Sequence, residues 1–65
     1  MPNIRLTVPK DAWSQDEKGE LIAKLTDTMT DFAADKGKGD IRGFVSVYVE
    51  ETAAGGYAIG GQVLG

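Results

Sequence analysis

The sequence predicts a small α+β fold: one β-α-β unit, made of a parallel strand pair and one long helix, followed by a short C-terminal hairpin. Three observations carry this. Apolar and polar residues alternate near the N-terminus, a capped amphipathic stretch fills the middle, and a valine-rich run leads into paired glycines. From Asn3 to Val8, the side chains of Ile4, Leu6 and Val8 fall on one face and those of Asn3, Arg5 and Thr7 on the other, the period of a half-buried strand. Pro9 ends the run because it has no N–H to give to a ladder.

The next segment, SQDEKGELIAKLTDTMTDFAADKGKG, opens with Ser14-x-x-Glu17, a capping-box spacing in which hydroxyl and carboxylate satisfy unpaired amides at a helix start. Asp16 and Glu17 suit the positive end of the helix dipole. Leu21, Ile22, Leu25, Met29, Phe32 and Ala33 recur at steps of three and four and predict one apolar stripe on a helix of about five turns. Gly37 is the expected C′ residue, with Lys36 and Lys38 near the negative end. The run GFVSVYVEE, residues 43–51, predicts a second strand with Val45, Val47 and Val49 on one face and Phe44, Ser46, Tyr48 and Glu50 on the other. Strand, helix and strand with short links predict a parallel pair with a right-handed crossover. Gly55-Gly56 and Gly60-Gly61 bracket Tyr57-Ala58-Ile59 and predict a tight turn or hairpin.

Residues 1–65 read as a single domain, near the size at which a lone core is marginal without disulfides, metal or self-association. The chain has no cysteine and no histidine, so a disulfide framework, a thiolate metal site and the usual zinc or haem ligation are excluded. Self-association is the remaining expectation, with the outer strand face, including Phe44 and Tyr48, meeting another subunit. Ten acidic against seven basic side chains give a net charge of −3, which argues against a phosphate-backbone binder. Neither a signal-peptide pattern nor an apolar run of about 18 residues is found, and the expectation is a soluble, cytoplasmic protein with no nucleic-acid or membrane partner.

Pro2 directly behind Met1, a β-α-β unit of this length, and the late segment VEETAAGGYAIGGQ together resemble the tautomerase superfamily, specifically its short 4-oxalocrotonate tautomerase-like subunits. The likeness covers nearly the whole chain. It implies a homo-oligomer, a trimer-of-dimers hexamer or a related trimer or dimer, with active sites near subunit boundaries. It also implies removal of the initiator methionine, leaving Pro2 as a free secondary amine that serves as general base and then general acid. An α-amino group titrates near pH ~8, and desolvation disfavours its charged form. Such an amine can take a proton from an enol hydroxyl and return it to carbon without metal or cofactor.

Tyr57 matches the family's aromatic position. At the two arginine positions of the family, Ser46 stands in the second strand and Trp13 before the helix. Arg5 and Arg42 are the chain's only arginines, so the expected clamp for a substrate carboxylate or carbonyl is Arg42, in the loop entering the second strand, or Arg5; Lys10 and Lys38 are weaker candidates. The expected activity is enol–keto proton transfer on a small, carboxylate-bearing compound. Hydrolytic dehalogenation and decarboxylation on the same amine, and a catalytically silent oligomeric scaffold or small-ligand binder, stand as alternatives. Each residue also has a plain structural role to weigh: a strand-start proline for Pro2, a solvated charge for Arg42, an interface aromatic for Tyr57, and packing over the helix start for Trp13. Glu50 and Glu51 are adjacent in a strand, point to opposite faces, and do not make an acid–base pair.

Overall fold

The computed structural model describes residues Met1–Gly65. Its order is β1 (Asn3–Val8), α1 (Gln15–Asp35), a 3₁₀ turn (Arg42–Phe44), β2 (Ser46–Glu51), β3 (Ala58–Ile59) and β4 (Gln62–Val63). Strands β1 and β2 pair in parallel, with Ile4 opposite Val47 and Leu6 opposite Val49. The expected alternation holds: Ile4, Leu6 and Val8 of β1 and Val47 and Val49 of β2 are at least half-buried and the outward residues exposed, with Glu51 at the end of β2 exposed as well. A parallel pair cannot be closed by a tight turn. The crossover is α1, which packs chiefly on β2.

Both ends of α1 follow the local chemistry of their residues. The Glu17 N–H donates to Ser14 Oγ at 3.1 Å and the Ser14 N–H to Glu17 Oε1 at 2.8 Å, completing the capping box. At the other end the Lys38 N–H reaches Ala33 O at 2.9 Å and the Gly37 N–H reaches Ala34 O at 3.0 Å, the Schellman arrangement. Gly37 sits at φ 73°, a conformation that costs a side chain roughly 1–2 kcal/mol. The apolar stripe holds at Leu21, Ile22, Leu25, Met29 and Ala33, but Phe32 is exposed, with the Lys36 ammonium 5.6 Å from its ring centroid. The covered face drifts along the helix, from Leu21 and Leu25 toward Thr26, Thr30 and Ala33, and leaves Phe32 outside it.

The second strand is shorter than the expected 43–51. Asp40 Oδ1 accepts the Arg42 N–H at 3.1 Å and Ile41 O accepts the Phe44 N–H at 2.8 Å, so side-chain turn chemistry at Asp40 diverts residues 42–44 into the 3₁₀ turn. The crossover is tied down at Glu51, whose Oε2 accepts the Asp11 N–H at 3.2 Å and lies 3.5 Å from Lys18 Nζ. Glu50 turns to the opposite face and pairs with Arg5. Beyond β2, Gly60 and Gly61 both have positive φ, as a two-residue type I′ turn requires, and join β3 to β4 in a separate antiparallel sheet.

Little of this chain is buried against itself. Only Val8, at 8% exposure, and Ala33, at 3%, are buried. Ile59 and Val63 on the hairpin are each 61% exposed. The molecule measures 44 × 26 × 15 Å, and its radius of gyration of 14.9 Å exceeds the about 11 Å of a compact chain this long. Its surface of 4887 Å² compares with about 4,000 Å² for a globular monomer of this mass. No helix is long and apolar enough to cross a membrane.

Ser14→Ala removes one half of the capping box and Gly37→Ala forces a side chain into left-handed backbone. Each is expected to lower unfolding free energy by about 1 kcal/mol in urea titrations, with an unchanged slope.

Candidate functional site

The site is built around the one residue of the β1 approach that lacks an N–H. Pro2 O accepts the Ser46 N–H at 3.0 Å, the rung that leads into the parallel ladder. Ser46 Oγ lies 3.4 Å from the same oxygen and 3.3 Å from Asn3 Oδ1, and its single proton serves one of them at a time. The carbonyl of Pro2 is therefore held by β2 while its nitrogen takes no part in the sheet. The ring is half-buried, on the same side as Ile4, Leu6 and Val8.

Beside it lies an open groove of about 260 Å³ lined by Met1, Pro2, Ile41 and Phe44. In a 3₁₀ turn residues three apart eclipse, so Ile41 and Phe44 present one apolar face to Pro2 while Arg42 is rotated away from it. Met1 is 97% exposed at the groove's edge. While it is attached, Pro2 nitrogen is a tertiary amide without basicity; without it the nitrogen is a secondary amine against an apolar wall, where the ammonium form is disfavoured.

The other expected site residues do not converge here. The Arg42 guanidinium is taken up by Asp27 of α1, with Nη1 2.7 Å from Oδ1. Arg5 lies on the outer face of the sheet, its Nε donating to Glu50 Oε1 at 3.1 Å and its guanidinium 5.6 Å from the Tyr48 ring centroid. Tyr57 stands at the base of the hairpin, where its carbonyl accepts the Leu64 N–H at 2.8 Å, and it does not line the groove. Ser46 contributes a backbone donor, with its hydroxyl on the outer face. Trp13 covers the start of α1, as expected from packing, over a second hollow formed with Glu17, Glu20, Leu21 and Lys24. The groove residues that sequence reasoning missed are Ile41, never singled out, and Phe44, read as an outward strand residue. The signal was Asp40-Ile41-x-x-Phe44, a turn-forming carboxylate ahead of two apolar residues at 3₁₀ spacing.

No cluster of three acidic side chains stands at metal-binding spacing. In comparisons with known proteins, no family model, curated protein or solved structure matches this chain.

The Arg42–Asp27 pair bridges the 3₁₀ turn and α1 with both side chains more than half exposed. A double-mutant cycle with Arg42→Ala and Asp27→Ala is expected to give a coupling below about 1 kcal/mol that shrinks further in 1 M salt.

Proposed function

We propose that this chain is a cofactor-independent tautomerase of the 4-oxalocrotonate tautomerase-like kind, with Pro2 as the proton carrier after loss of Met1. The observation that carries the reading is the combination at Pro2: a carbonyl held by Ser46, a nitrogen outside the ladder, and an apolar groove alongside. The β-α-β order and the C-terminal hairpin are consistent with the resemblance carried by Pro2 and the GGYAIGG segment. The amine accepts the proton of an enol hydroxyl as the carbonyl forms, and its N–H then protonates the carbon end of the same π-system. One proton leaves oxygen and one arrives on carbon, so the amine is regenerated and no external reductant or oxidant enters. Dehalogenation or decarboxylation on the same amine would begin from a different substrate in the same groove.

The same proposal includes self-association. The chain exposes about 900 Å² more than a globular monomer of its mass, on the scale of the about 800 Å² that one partner contributes to a standard interface. The hairpin makes its own two-stranded sheet, and such a hairpin is marginal alone in water. A second copy covering it would also bring its Tyr57 to a subunit boundary.

Intact mass is expected to show the natural chain lacking one methionine. In that form Pro2→Ala is expected to lower enol ketonisation by about 100-fold or more, the scale of general acid–base catalysis, with the light-scattering mass unchanged at a multiple of the 6.9 kDa chain. A variant as active as the parent would refute the proton-carrier assignment, a parent that turns over no enol would leave the catalytically silent binder as the better reading, and a folded monomer would refute the assembly.

A further inference from the structure

Resting on the tautomerase reading, we propose that Ser46 is a positioning residue for Pro2. Its hydroxyl is a second donor to the Pro2 carbonyl, beside its own N–H, and the two together hold the amine that loss of Met1 leaves at the chain end. These contacts join neighbouring strands of one chain and draw on no group that a second copy would bring.

Strand β1 begins at Asn3, so Pro2 precedes it and has no N–H to place in a ladder. The backbone bond that ties it to the sheet is the one its carbonyl accepts from the Ser46 N–H at 3.0 Å. Chain ends fray unless they are tied down. Once Met1 is gone, the ring that carries the nitrogen is joined to the anchored peptide plane through a single soft rotation, about Cα–C. Any tilt of that plane moves the amine.

A carbonyl oxygen has two lone pairs. The Ser46 N–H takes one, and Ser46 Oγ lies 3.4 Å from the same oxygen, with its other acceptor, Asn3 Oδ1, at 3.3 Å. Both contacts are long for an O–H···O bond, so the hydroxyl is a light restraint added to a firm one. Serine stands at the head of a strand that continues Val47, Tyr48, Val49, where β-branched and aromatic residues are favoured; a hydroxyl that reaches Pro2 gives the small polar residue a use there. Ser46 also follows the 3₁₀ turn that ends at Phe44, so one residue links Pro2 to the apolar wall of Ile41 and Phe44. Proton transfer requires the amine within hydrogen-bond reach of the reacting atoms, and a small misplacement lowers turnover more than it lowers binding.

The test uses the Met1-free protein, phenylenolpyruvate as the enol and carbon-13 in the proline carbonyls. Ser46→Ala is expected to lower kcat about three- to fivefold with KM changed by less than about twofold, and Ser46→Thr, which keeps a hydroxyl, to restore it. Asn3→Ala leaves Pro2 O as the hydroxyl's sole acceptor and is expected to keep kcat within about twofold of the parent. The Pro2 carbonyl carbon resonance is expected to move upfield in Ser46→Ala and to return in Ser46→Thr, because each hydrogen bond accepted by the oxygen deshields the carbon. Parental kcat in Ser46→Ala, an unmoved resonance, a Ser46→Thr variant no better than Ser46→Ala, or an equal loss in Asn3→Ala overturns the inference, while turnover that disappears in Pro2→Ala keeps the tautomerase reading intact. No turnover by the parent, or turnover that survives Pro2→Ala, overturns the tautomerase reading and the inference with it.

Discussion

The hydrogen bond from the Ser46 N–H to Pro2 O is the interaction on which the arrangement depends. It opens a parallel ladder whose register puts Ile4 against Val47 and Leu6 against Val49. A slip of one residue would turn every one of those side chains to the outer face, so the apolar layer under α1 pins the register and the register pins Pro2. Proline suits that position because it has no N–H to leave unpaired. Its carbonyl can be anchored while its nitrogen stays outside the sheet, which is the placement the proposed role of Pro2 as proton carrier needs.

The rest of the chain is economical to the point of being incomplete by itself. With only Val8 and Ala33 buried, the layer between sheet and helix is half a core, and the hairpin of β3 and β4 forms a sheet of its own. Hydrophobic stabilisation scales with area removed from water. The proposed assembly therefore links two matters that look separate: the stability of the subunit and the closing of a groove that one subunit leaves open.

Most of the fold was legible in the sequence because its signals were local and consistent. Alternation in β1, the Ser14 and Glu17 cap, the Gly37 terminus and the Gly60-Gly61 turn each rest on neighbours a few residues apart, and each stands where expected. The misreadings came where two local rules competed. Phe44 continues the valine alternation on paper, but the Asp40 carboxylate captures the Arg42 N–H and bends the chain first. Strand alternation put Arg5 and Glu50 on outward faces, where they pair, but the pairing of Arg42 with Asp27 was not legible, since it depends on how α1 lies against the 3₁₀ turn. Phe32 was misplaced for a related reason: a stripe drawn at constant pitch ignores the drift of the covered face along the helix.

Charge placement then shapes the chemistry. Carboxylates engage both arginines, hydrocarbon faces the Pro2 ring, and on the proposed reading the proton carrier is the Pro2 amine that loss of Met1 frees. Its behaviour decides the account. The most direct measurement is a nitrogen-detected NMR titration of the Pro2 nitrogen, isotopically labelled, in the Met1-free protein. The account predicts a single titration with a midpoint below the ordinary α-amino range of about 7.7–8.0, as expected for an amine against an apolar wall. A nitrogen that does not titrate, or one whose midpoint lies within or above that range, would contradict it.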